Sequence, residues 1–216
     1  MSDFAGILEG RYGAGEPILS EDALAAFPDQ ARSTVFGWLK AAVAEGSLAR
    51  FSRGVYYVPE RAEVLGRAVE VPLDPEKVIA RKYLVPGGEV SGFVSGLALQ
   101  NRARVSDQVP AVLEVTTNAE TNRSRRIRPF GGYREIVLRR PRVPVTAGNV
   151  AALEAIDLVD GADLASLDAG ERDALRRKVD AADRATLLEC LAAYPKRTVL
   201  KLLSYIQEMG AQGVPA

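Results

Sequence analysis

The sequence predicts an α+β fold in two domains, and three observations carry that reading. Residues 20–58 hold two helical patterns followed at once by a short hairpin, residues 111–140 hold three runs of strand length, and from Thr146 onward the periodicity is helical. With 216 residues and 47% apolar composition the chain has material for one large or two small buried cores. The expected arrangement is an N-terminal winged helix-turn-helix over residues 1–70, then a mixed domain over residues 71–216 with a small antiparallel sheet and C-terminal helices.

Residues 1–12 form an amphipathic segment in which Phe4, Ile7 and Leu8 are predicted inward. Ser20 is placed to cap a short helix whose first turn carries Glu21 and Asp22, where carboxylates meet the positive end of the helix dipole; Pro28 stops it. Asp29 restarts the chain into a second helix, predicted over 30–45. Within it Val35, Trp38, Leu39, Ala42 and Val43 recur at helical spacing as one apolar stripe, and the opposite face carries Gln30, Arg32, Ser33, Gly37 and Lys40. Gly46 closes the helix. Residues 48–51 and 55–58 read as strands joined by Ser52-Arg53-Gly54, which puts Arg50 and Arg53 on a wing.

Pro59, a short charged segment and Val71-Pro72-Leu73-Asp74-Pro75 mark a boundary, because proline disfavours helix and breaks strand pairing. Asp74 as cap and Pro75 at the first helical position predict a helix to Tyr83, ended by Pro86-Gly87-Gly88. A further helix is predicted over 93–102. Residues 111–117, 125–130 and 133–140 follow as three strands, the last two joined across Gly131-Gly132, and read as an antiparallel unit that Pro141 and Pro144 end. Helices are predicted over 150–158, 170–179, 184–193 and 195–209. In the last of them Val199, Leu202, Leu203 and Ile206 make an i, i+3, i+4, i+7 stripe.

The net charge is zero but segregated along the chain. Residues 1–70 carry seven Lys/Arg and ten Asp/Glu, residues 71–150 thirteen and seven, and residues 151–216 eight and eleven. Inside the first stretch the basic groups gather: between residues 32 and 58, Arg32, Lys40, Arg50 and Arg53 meet only Glu45. A helix with basic and small polar groups on its free face fits the major groove, roughly 12 Å wide, while an arginine-bearing hairpin lies over neighbouring phosphates or the minor groove. That free face carries Gln30, Arg32, Ser33, Gly37 and Lys40, and the wing carries Arg50 and Arg53. The same pattern also occurs in protein-interaction modules, the rival reading.

A second basic surface is expected in residues 122–142, where Arg123, Arg125, Arg126, Arg128, Arg134, Arg139, Arg140 and Arg142 are opposed only by Glu135. The planar guanidinium matches phosphate oxygens bidentately and tolerates partial burial. Two readings stay open at this point: contact with a nucleic-acid backbone, or pairing with acidic side chains of the C-terminal helices such as Asp157, Asp160 or Asp163.

Composition also excludes. The chain has no histidine and one cysteine, which removes Ser-His-Asp and Cys-His nucleophiles, His-based metal sites and all-thiolate zinc sites. No metal and no cofactor is expected. Cys190 shares a helical face with Leu187, Leu191 and Tyr194, which predicts a small core residue, and a lone cysteine fits the reducing cytoplasm. No run approaches the ~20 apolar residues of a membrane span, and residues 1–12 lack the form of a signal sequence. Asp107 and Glu114 resemble the acidic pair of metal-dependent PD-(D/E)xK nucleases, but the lysine expected two positions after the strand glutamate is Thr116, so the group that positions or activates water is missing. Gly13-Ala14-Gly15 is not followed by the Lys-Ser or Lys-Thr of a P-loop. No enzymatic activity is expected.

Five short motifs then point to one family. Ser52-Arg53-Gly54-Val55-Tyr56-Tyr57, Ser91-Gly92 with Gly96-Leu97-Ala98-Leu99, Val109-Pro110, Thr116-Thr117-Asn118 and Tyr194-Pro195, in that order over residues 29–206, resemble the bacterial AbiEi-type antitoxins. The resemblance implies a winged helix-turn-helix that represses its own antitoxin–toxin operon at inverted repeats, followed by a domain that neutralises toxicity. It also implies a nucleotidyltransferase-like toxin as functional partner, opposed without a stable complex as in type IV systems. The chain is expected to be a monomer or weak dimer. Carried onto this chain, the DNA readers implied are Gln30, Arg32, Ser33 and Lys40, with Arg50, Ser52 and Arg53 on the wing.

Overall fold

In a computed structural model that describes residues 3–128 and 134–212, the chain is a mixed α+β protein with several small sheets. It divides into two units, Met1–Lys82 and Tyr83–Ala216. No described helix is long and apolar enough to cross a membrane.

The first unit runs α1 (Phe4–Tyr12), β1 (Ile18–Leu19), α2 (Ser20–Ala26), α3 (Arg32–Ala44), β2 (Ala49–Ser52) and β3 (Val55–Tyr57). The three strands form an antiparallel sheet in the order β1-β3-β2. Its core gathers Leu8, Ile18, Ala23, Val35, Leu39, Ala42, Leu48 and Val58, so one apolar stripe from each helix meets the sheet. Phe4, Phe27 and Trp38 pack their rings with centroids 5.1 to 5.6 Å apart, within the range where aromatic pairs attract. Ile7, expected inward, is 47% exposed. The inward stripe of α1 is Phe4, Leu8 and Tyr12 at i, i+4 and i+8, which leaves Ile7 off to the side.

Ser20 is not the cap of α2 but its first residue. The Asp22 carboxylate accepts the Leu19 N–H at 2.9 Å, while the Ser20 N–H donates to the Gly54 carbonyl at 3.0 Å, tying the helix start to the β2–β3 turn. The helix expected over 30–45 begins at Arg32, so Gln30 lies in the turn that precedes it.

The charged segment after Pro59 forms a ribbon that its sequence does not announce: β4 (Glu60–Val64) pairs antiparallel with β5 (Arg67–Val71). Leu65 and Gly66 turn it with positive φ of 53° and 73°, and Leu65 is 99% exposed. Asp74 then caps α4 (Pro75–Ile79), accepting the Glu76 N–H at 2.8 Å, and one π-helical turn (Ala80–Leu84) follows. The junction placed by sequence at residues 70/71 thus falls inside the first unit. Lys77 bonds Glu16 at 2.6 Å, and Arg81 reaches Asp22 at 2.7 Å while lying 5.6 Å from the Tyr12 ring centroid, so α4 is fastened to the α1–β1 loop and the turn after it to α1 and α2.

The second unit holds β6 (Gly92–Ser95), α5 (Gly96–Arg102), β7 (Val112–Thr117), β8 (Ser124–Ile127) and β9 (Glu135–Arg139). The sheet order is β6-β7-β9-β8. Two expectations change here. Residues 93–95 are strand, not helix: Gly92 sits where an added Cβ would lie 2.4 Å from the Tyr83 carbonyl and 2.7 Å from that of Thr116, and Gly96 at φ +62° breaks the chain into α5. The sheet is mixed, not antiparallel, because β7 and β9 run parallel. The arginine-rich β8 is exposed and takes the edge, which leaves the apolar Ile136, Val137 and Leu138 of β9 as the interior neighbour of β7. The Gly131-Gly132 turn lies outside the described residues, as do the adjoining ends of the two strands predicted around it.

Four helices close the unit: α6 (Val150–Gly161), α7 (Ala169–Asp180), α8 (Arg184–Leu191) and α9 (Lys196–Gln212). In α6 Ala152, Leu153, Ala155, Ile156, Leu158 and Val159 are all buried, the composition of a central helix, and α5, α7, α8 and α9 pack around it. Asp168 caps α7 with a reciprocal capping box to Glu171, and Asp183 caps α8 through the Thr186 N–H at 2.8 Å. Cys190 is buried in this core, as its helical face predicted, and burial pushes its thiol up. In α9 the deeply buried positions are Thr198, Leu202 and Tyr205; Leu203 of the predicted stripe is 37% exposed.

Candidate nucleic-acid interface

The core of the first unit decides which face of α3 is free. Val35, Leu39 and Ala42 point into it, and at ~100° per residue this leaves Arg32, Phe36, Lys40, Ser33 and Gly37 across an arc of about 140°. Arg32, Ser33, Gly37 and Lys40 are exposed. The Arg32 guanidinium lies 5.4 Å from the centroid of the Phe36 ring, a cation–π contact that braces the long side chain along its own helix. Phe36 is absent from the set that sequence nominates, although it stands four residues after Arg32 and so on the same face.

No side chain caps the start of α3: Ala31 occupies the N-cap position. The Thr34 N–H turns back to the Ala31 carbonyl at 2.9 Å, and the Arg32 and Ser33 N–H groups remain available, together with the positive end of the dipole, to a phosphate oxygen. Gln30 is exposed immediately before this terminus.

The hairpin that follows is short. Arg53 and Gly54 make its turn, Gly54 at φ +76°, and a bulge between Arg50 and Ser52 interrupts the register with β3. Arg50 and Arg53 are exposed, Ser52 half-buried, and the Arg50 Nε donates to the Ser52 carbonyl at 3.3 Å. Among the described residues none of Arg32, Lys40, Arg50 and Arg53 has an acidic partner.

The arginines of residues 122–142 are divided. Arg125 binds Glu120 at 2.8 Å, Arg126 and Arg128 share Glu135 at 2.7 and 3.8 Å, and Arg139 binds Glu114 at 2.8 Å. Arg134 donates to the Pro110 carbonyl at 3.3 Å. The carboxylates belong to the sheet and its loops, not to the C-terminal helices that sequence nominated as partners. Glu120 is the deepest: its side chain is 2% exposed, and the Arg125 guanidinium followed by hydrogen bonds from Asn122 holds its carboxyl below the usual range. Arg123, Arg140 and Arg142 have no acidic partner among the described residues and line a cleft with Asp157 and Tyr194.

Glu114, half of the acidic pair weighed for nuclease chemistry, is engaged with Arg139, and among the described residues no three His, Cys, Asp or Glu side chains gather as metal ligands do. No family model matches the chain, and no curated protein matches it.

Proposed function

We propose that this chain is a cytoplasmic DNA-binding transcriptional regulator of the antitoxin type, which occupies inverted repeats in the promoter of its own operon. The order α1-β1-α2-α3-β2-β3 with a β1-β3-β2 sheet supports reading the first unit as a winged helix-turn-helix, with α3 as the groove helix and the β2–β3 hairpin as the wing. The observation that carries the proposal is the uncapped start and the exposed face of α3. It presents Arg32, Ser33 and Lys40 free of acidic partners and is followed in sequence by a hairpin bearing Arg50 and Arg53. In this reading backbone N–H groups and the hairpin arginines fix register on phosphates, while Arg32 and its neighbours read base edges.

The antitoxin role rests on the AbiEi-type resemblance. The functional partner is then a nucleotidyltransferase-like toxin encoded beside it, opposed without a stable complex. An electrophoretic shift with the duplex upstream of the chain's own gene tests the DNA-binding part: a salt-sensitive, sequence-selective shift is expected, and its absence overturns the reading. Restored growth on co-expression with the adjacent gene tests the antitoxin part. The rival, a module that captures an acidic protein or RNA through residues 122–142, has less support because four of those arginines already hold carboxylates.

A further inference from the structure

We infer that the second unit binds a nucleoside triphosphate in the cleft between the end of β9, α6 and the α8–α9 turn. This cleft measures about 700 Å³, the size of a small-molecule site. Arginine dominates its rim. Arg123, Arg140 and Arg142 come from the β8 and β9 side, where the Arg140 N–H donates to the Arg123 carbonyl at 3.4 Å, and Arg197 comes from the first turn of α9. Arg123 and Arg140 have no side-chain partner among the described residues, and Arg197 is 84% exposed with its Nη2 3.9 Å from Asp160, too long for a hydrogen bond. Several guanidiniums lining one concavity repel one another until a polyanion neutralises them, and each offers a fork that fits two phosphate oxygens.

The remainder of the lining argues for more than phosphate. Tyr194 offers a ring over which Arg142 already lies, 5.5 Å from the centroid, while Phe93, at the floor of the cleft, is buried in the core. Asp157 and Asp160 put carboxylates among the arginines, the Asp157 Oδ2 accepting the Gly96 N–H at 2.7 Å and the Asp160 Oδ1 the Thr198 hydroxyl at 2.9 Å. A site for inorganic phosphate gains nothing from a carboxylate that repels its ligand. A nucleotide does gain, because a base amino group, a ring N–H or a ribose hydroxyl donates to the carboxylate while the base lies against an aromatic ring. Concavity favours a single nucleotide over a duplex, whose phosphates run along a convex backbone. Another cleft of the unit, about 760 Å³, sets Arg172 and Arg176 against Asp173 and Glu208 and lacks such an excess of arginine.

Isothermal titration calorimetry of the full chain with ATP, GTP, CTP and UTP tests the site, with sodium tripolyphosphate as the phosphate-only arm and a single-stranded thymidine hexanucleotide as the nucleic-acid arm. At least one nucleoside triphosphate is expected to bind about tenfold or more tighter than either control, and Arg140→Ala and Arg123→Ala, at unchanged melting temperature, are each expected to weaken it about tenfold. Equal binding of tripolyphosphate, tighter binding of the hexanucleotide, no binding of any triphosphate, or undiminished binding by both folded variants would each overturn the inference. Duplex binding through the first unit stands or falls separately, since none of these probes is a duplex.

Discussion

Two arginine-bearing surfaces of this molecule differ in what their charge is doing. On α3 and its hairpin four basic side chains stand exposed without an acidic partner among the described residues, whereas in residues 122–142 Arg125, Arg126, Arg128 and Arg139 are matched by Glu120, Glu135 and Glu114. The segment with twice as many cations in sequence therefore has much of its charge neutralised at short range. An ion pair has little far field left to attract a phosphate backbone, so the sparser surface is the better candidate for DNA, while half of the arginines of the richer one serve its own sheet.

The sharpest way to break this comparison is to exchange the expected losses. Arg32→Ala should relax sequence discrimination by ~1–3 kcal/mol for each base edge the side chain reads, while changing stability by less than about 0.5 kcal/mol because the side chain is exposed. Paired titrations of specific and random duplexes, with a denaturation curve, check both numbers. Arg125→Ala should do the reverse. It orphans the nearly buried Glu120 and costs about 1–3 kcal/mol of stability, with duplex affinity unmoved.

Acid denaturation adds a signature to that second variant. Glu120 has a folded pKa below its ordinary 4.5, so the native state binds fewer protons than the unfolded one; the stabilisation is complete above that range and is lost as pH falls through the folded value. Arg125→Ala should flatten this slope. Asp157 works in the opposite sense, since burial, with Glu114 and Asp160 adding and the Gly96 N–H and Arg139 opposing, pushes its carboxyl from 3.8 up to about 6. The native state binds more protons between those values, so this group makes the parent more stable as pH falls from about 6 towards 4. Asp157→Asn keeps an acceptor for Gly96, removes that slope and should raise stability at pH 7 by about 1–2 kcal/mol.

A smaller effect concerns the hairpin. Arg53→Ala should weaken specific and random duplexes alike and lower the log–log salt slope by ~0.9, the share of a single neutralised phosphate. Alanine at Arg125, Arg126 and Arg128 together should leave that slope unchanged; a reduced slope there would return the β8–β9 arginines to the DNA interface.

How much is legible in the sequence follows from range. The stripe of α3, the cap at Asp74, the core placement of Cys190 and the four C-terminal helices are local patterns of three to seven residues, and they emerge close to where periodicity puts them. The β4–β5 ribbon escapes because residues 60–63 and 67–70 are exposed, so no burial alternation marks them. Residues 93–95 escape because a short apolar run reads equally as helix or strand, and only the close approach of Gly92 to Tyr83 and Thr116 decides. The parallel pairing of β7 with β9 and the carboxylate partner of each arginine are matters of tertiary order. For the candidate interface the sequence yields the exposed set on α3, but not the Phe36 brace under Arg32, nor which arginines of the second unit are already engaged.

The most direct measurement is amide chemical-shift mapping of the full chain on addition of the duplex upstream of its own gene. The largest changes are expected at residues 30–40 and 50–54, with residues 123–128 and 134–140 nearly still. Changes concentrated in the second set, with α3 silent, would contradict the claim that the sparser basic surface is the one that meets DNA.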